Sequence, residues 1–247
     1  MVATAIASAP PRFHPLRRLT WLRPEWPWAL LVLGAWVVLA VEAIRPMRHT
    51  MAGMSHGRHD EVLASGLAWW MLMTVATMVP AALPLLREIS LGSLWPRRYR
   101  SAALFLAGYL AVWSLFGAAA LGTWQVVSET TSAPVGLVVG VMLLGAAAWG
   151  LTAAKRRSLK LCHRYLPCPP RGRAADEACV RFGLYHGRQC VAVCWPLMLS
   201  MVPGHTLALM IGVTALVTWE RLARLPRLHV GAFVLAVAGA ICVFVVV

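Results

Sequence analysis

The chain has 247 residues, 60% of them hydrophobic and only 13% charged, with a mean hydropathy of +0.68. That balance excludes an ordinary water-soluble domain, which is nearer half apolar and about a quarter charged. A formal charge of +14 would suit a nucleic-acid binder, but Lys and Arg here lie between long apolar runs, so the charge is read as topogenic and nucleic acid is excluded as a partner.

Apolar runs near the length needed to cross a bilayer, without a barrel's strand alternation, predict an all-α polytopic transmembrane helical bundle. Residues 1–25 form a basic N-terminal segment carrying Arg12, Arg17, Arg18 and Arg23. The apolar run after it is long enough to span and lacks a small-residue cleavage site, so it reads as an uncleaved anchor. Residues 26–247 form one transmembrane domain. Its seven expected spans are Trp26–Ile44, Val62–Leu86, Ser101–Gly122, Ala133–Ala154, Gly183–Val202, Gly204–Trp219 and Leu228–Val247. The fifth and sixth, linked tightly at Pro203-Gly204, can instead form a re-entrant hairpin.

Lys and Arg set the expected orientation. They fill the N-terminal segment, the second loop (Arg87, Arg97, Arg98, Arg100), the basic loop 155–182, and the sixth loop (Arg221, Arg224, Arg227). The alternate loops hold only Arg45, Arg48 and Arg58. The positive-inside rule then puts the N-terminus in and the C-terminus out, in a bacterial inner membrane. Pro80 and Pro84 predict a kink in the second span. Small-residue runs at Gly117-Ala118-Ala119-Ala120 and Gly145-Ala146-Ala147-Ala148 predict close helix packing.

Candidate ligands occur in four places. The extracytoplasmic loop 45–61 holds Met47, His49, Met51, Met54, His56 and His59. Thioether sulfur prefers Cu(I) and imidazole accepts either oxidation state, so this loop can capture copper. The second span carries Met71 and Met78, seven apart and on one face. The fifth span places His186, Cys190 and Cys194 four apart, which stacks them on one helix face, with Met198 and Met201 continuing it outwards. The basic loop 155–182 holds Cys162-His163, Cys168 and Cys179, in no standard zinc spacing. Glu220, beside Arg221, suggests a salt bridge or snorkelling near an interface. There is no phosphate loop and no nucleophile elbow, so an enzymatic role is not expected.

These pieces together resemble a bacterial family of predicted metal-binding integral membrane proteins of unknown function. The likeness rests on the Met-rich stretch Trp70–Pro80, the basic segment Lys155–Cys162, the Gly183–Met198 helix with its His-Gly and Cys-Trp-Pro-Leu-Met elements, and the Glu220-Arg221 pair. This chain has Val193 where the family usually has a cysteine before Cys194, and Ser158 where the basic segment usually has an earlier one. The resemblance implies metal binding in a membrane-embedded bundle. Ligand softness makes copper the expected cofactor or cargo, with Met71, Met78, Cys190 and Cys194 holding or relaying it. The other expected partners are the lipid bilayer and another membrane or periplasmic protein. Two alternatives remain open: a non-enzymatic structural or assembly subunit, and a thiol-based membrane oxidoreductase, for which cysteines four apart on one helix are poorly placed to form a disulfide.

Overall fold

The structure is a computed structural model, and it describes residues 23–44, 59–166, 168, 169, 171–204, 206–223 and 228–246. Most of the described residues are helical, with no strand among them. In chain order the α-helices are α1 (Trp26–Ile44), α2 (His59–Met78), α3 (Leu83–Gly92), α4 (Arg98–Thr130), α5 (Val135–Leu151), α6 (Ala153–Cys162), α7 (Gly172–Ser200), α8 (Leu207–Leu222) and α9 (Leu228–Val246). The helices carry apolar side chains on their outer faces as well as within: Leu30, Leu33 and Val37 on α1 and Phe233, Val234 and Phe244 on α9 are all exposed. An apolar exterior of that kind suits lipid rather than water.

Three of these segments are long and apolar enough to cross a membrane: Trp26–Ile44, Trp95–Thr130 and Leu228–Val245. The number rises to five if each of two bent helix pairs is one span. Both bends have a local cause. Pro80 has no N–H to give the Ala76 carbonyl, so the expected second span breaks there, and its halves Ser65–Met78 and Pro80–Gly92 differ in direction by 47°. The orphaned Ala76 carbonyl accepts a hydrogen bond from the Trp36 indole of α1 at 2.9 Å. The expected fourth span ends at Leu151. Thr152 caps a new helix by accepting from Lys155 N at 3.2 Å, and α6 leaves at 76° to α5. The expected fifth and sixth spans correspond to parts of α7 and α8. Neither is singled out by length and composition: α7 begins with the charged run Arg173, Asp176, Glu177 and Arg181, and α8 has only 16 residues.

Small residues set the close packing, as the sequence predicted for part of it. α4 and α7 touch backbone to backbone where Gly108, Gly183 and Gly187 face the opposite helix. A Cβ at Gly183 would strike the Phe105 carbonyl, and one at Gly108 the Val180 carbonyl. α5 and α9 meet in the same way at Gly140 and Gly239. Gly117 makes room for the Trp70 ring, whereas Gly145 faces open space and only its neighbours Ala146 and Ala147 are buried.

Candidate metal centre

The α4–α7 seam carries the cluster. Cys190 and Cys194 lie one turn apart on α7 and are 0% and 1% exposed, and their thiols are close enough to interact. The Cys190 sulfur stands 3.0 Å from the Tyr109 hydroxyl of α4. That hydroxyl also lies 3.5 Å from the Met78 carbonyl, at the proline break of α2. Met73, Met78, Met198 and Met201 are all buried. Thr77 donates to the Met73 carbonyl at 2.8 Å and lies 4.0 Å from the Met198 sulfur, tying α2 to α7. Met71, half-buried, meets the Ser114 hydroxyl of α4 at 3.1 Å. Two thiols in a bundle that also buries several thioethers make soft donors available, and soft donors prefer Cu(I) to hard cations.

One turn before Cys190, His186 is enclosed by Phe105, Tyr109 and Phe182, with ring centroids 5.7, 5.8 and 6.4 Å away. Its Nε2 accepts from the Arg221 guanidinium at 3.1 Å. A guanidinium only donates, so His186 is the neutral imidazole with its proton on Nδ1. The same guanidinium donates to Cys162 at 3.4 Å. Cys162, His163, His186 and Arg221 line one cleft of about 150 Å³, with Pro84, Glu88 and Tyr165 on its other walls.

Glu220 makes the salt bridge that its position suggested, with Lys155 rather than with the adjacent Arg221. Glu220 is 1% exposed and pairs with Lys155 at 2.8 Å, while Arg221 turns to His186 and Cys162. Lys155, assigned to the basic loop by sequence, is buried because α6 turns 76° away from α5 and its first turn meets Glu220 of α8. Gly231 of α9 leaves room for the carboxylate, since a Cβ there would sit 3.1 Å from Glu220 Oε1.

The loop ligands Met47, His49, Met51, Met54 and His56 lie outside the described residues, and the side chain of His59, at the start of α2, does too. Among the described residues, no three His, Cys, Asp or Glu side chains converge on one metal position. Cys162 and His186 flank Arg221, whereas Cys190 and Cys194 face one another. Cys168 interacts with Cys179, and burial together with that neighbouring thiol pushes Cys168 up to about 12, so it stays protonated near neutrality. Sequence reasoning missed Tyr109 and the distinct partners of Lys155 and Arg221. Only the acid-base pair at positions 220 and 221 signalled that charge enters the bundle.

A family model described as PpoB2, copper chaperone, matches residues 67–245. No curated protein and no solved structure matches the chain.

Proposed function

This chain belongs to the PpoB2 copper-chaperone family, and from that premise we propose that it binds Cu(I) within a membrane-embedded bundle and passes it on. The observation that carries this reading is the buried pair Cys190 and Cys194 against Tyr109. A soft monovalent ion displaces the protons of two thiols, which leave to solvent, and it needs few ligands and tolerates an otherwise apolar surround. Met198, one turn after Cys194, and Met78, whose carbonyl lies 3.5 Å from the Tyr109 hydroxyl, would add thioether donors. Cys162 and His186 stand where copper would pass between that pair and the cleft. The loop containing Met47, His49, Met51, Met54, His56 and His59 captures the ion on the extracytoplasmic face, and Met71 lies on the route between.

The reading takes residues 26–247 as one multi-pass domain of the bacterial inner membrane, with seven crossings, the N-terminus in and the C-terminus out. The apolar outer faces of α1 and α9 and the Lys/Arg distribution support it. Reporter fusions test the orientation: loop 45–61 and the C-terminus are expected outside and loop 155–182 inside. A C-terminus on the cytoplasmic side would contradict both the span number and the placement of the capture loop.

Competition against a Cu(I) chelator tests the metal. The purified protein is expected to hold at least one Cu(I) tightly, with Zn(II), Mg(II) and Ca(II) failing to displace it. Preference for a hard cation would contradict the copper reading. If the protein is instead an assembly subunit whose Cys and Met residues only pack, it would bind no Cu(I) in this assay.

A further inference from the structure

Arg221 is nearly buried, at 7% exposure, yet no carboxylate pairs with it among the described residues. The buried acid beside it in sequence, Glu220, is taken by Lys155. Glu88 shares the cleft wall but is exposed and makes no ion pair with Arg221. His186 is neutral, as its hydrogen bond requires. The group formed by Lys155, Glu220 and Arg221 therefore carries one uncompensated positive charge inside an apolar bundle. A lone buried cation is strongly unfavourable unless something negative faces it. What faces Arg221 is Cys162 at 3.4 Å and His186 at 3.1 Å, and His186 stands one helical turn from Cys190 on α7.

The charge balance of metal loading supplies the missing anion. Cu(I) displaces the protons of two thiols, two protons leave to solvent, and the resulting dithiolate complex bears one negative charge. Such an anion would be as costly to bury alone as the guanidinium is. Buried together, each offsets the other, because charge interactions are stronger within a protein than in water. Resting on the copper reading above, we propose that Arg221 is the built-in counter-charge of the Cys190–Cys194 centre, so that the site selects soft ions whose dithiolate complex is anionic. Arg221 acts through space as a positioning and charge-balancing residue. It donates no electron pair and is not itself a ligand.

The consequence separates ions of equal softness and different charge. Ag(I), like Cu(I), gives an anionic dithiolate; Hg(II) gives a neutral one. The experiment measures Ag(I) and Hg(II) affinity of the purified full-length protein by competition with a small dithiol, for wild type and for Arg221→Lys, Arg221→Gln and Arg221→Met. Losing the charge should weaken Ag(I) binding by about thirtyfold, the scale of one charge–charge interaction at an intermediate effective dielectric. Hg(II) affinity should change by less than about threefold, because no net charge needs balancing. Arg221→Lys keeps the charge and should stay near wild type for both ions. If Arg221→Met does not fold, Arg221→Gln makes the same comparison with hydrogen bonding retained. Equal losses for Ag(I) and Hg(II), or no loss for either, would overturn the counter-charge role and leave the copper reading standing. A wild-type protein that bound neither ion would overturn the copper reading itself, and the role of Arg221 with it.

Discussion

Replacing Cys190 and Cys194 together by serine is expected to abolish tight Cu(I) binding while the protein still expresses and keeps its thermal stability in detergent. Serine is nearly isosteric with cysteine, so the α4–α7 seam keeps its packing. The hydroxyl can bond back to a helix carbonyl, which holds the folding cost to about 1 kcal/mol or less. The substitution replaces two soft donors by hard, weakly donating ones, and Cu(I) affinity should fall by orders of magnitude. Alanine at both positions should do the same, with a small void as the added cost. His186→Ala should have a weaker effect on affinity, because His186 lies about 6 Å along the helix axis from Cys190 and its Nε2 is engaged by Arg221. Chelator competition on the purified variants checks this. A stability loss with unchanged copper content would mean that the pair only packs.

The second large effect concerns folding. Lys155 and Glu220 are both 2% exposed at the side chain and form a direct ion pair. Removing one partner of a buried pair leaves the other charge stranded and typically costs about 3–5 kcal/mol. The two losses should not be equal. Glu220→Gln leaves Lys155 and Arg221 as two buried positive charges, whereas Lys155→Met leaves Glu220 and Arg221 with opposite charges. Glu220→Gln is therefore expected to be the more damaging, with thermal unfolding in detergent as the readout. The double variant Lys155→Met/Glu220→Leu should recover a good part of the stability, since an apolar pair of similar volume often replaces a buried ion pair at little cost. Equal melting temperatures for wild type and both single variants would mean that water reaches the pair.

How much of this was legible in the sequence depends on whether the cause was local. α1 begins and ends at the residues that the apolar run predicts, and α9 nearly so, because each is one uninterrupted hydrophobic segment. The break in the second span was legible from Pro80, whose missing N–H is a local fact. The turn at Thr152 was not: Leu151, Ala153 and Ala154 continue a helical pattern, and only the cap from Thr152 to Lys155 stops it. The helix that follows it, Ala153–Cys162, was not expected, which left Lys155 in a loop and hid its partner Glu220, 65 positions away. The fourfold spacing of His186, Cys190 and Cys194 correctly puts them on one buried face of a helix. It could not reveal that Arg221 would bond His186 and that Tyr109 would reach Cys190, because both come from helices distant in sequence. The positive charge beside His186 and Cys162 is thus a property of the fold, invisible to spacing.

The central claim is that Cys190 and Cys194 hold Cu(I) through their two sulfurs. X-ray absorption on the Cu(I)-loaded wild-type protein, beside Cys190→Ser/Cys194→Ser prepared in the same way, measures this most directly. The expected wild-type spectrum shows Cu(I) with sulfur nearest neighbours from two thiolates, and the double variant lacks that signature. A wild-type spectrum dominated by nitrogen or oxygen neighbours, or a sulfur signature that persists unchanged in the double variant, would contradict it.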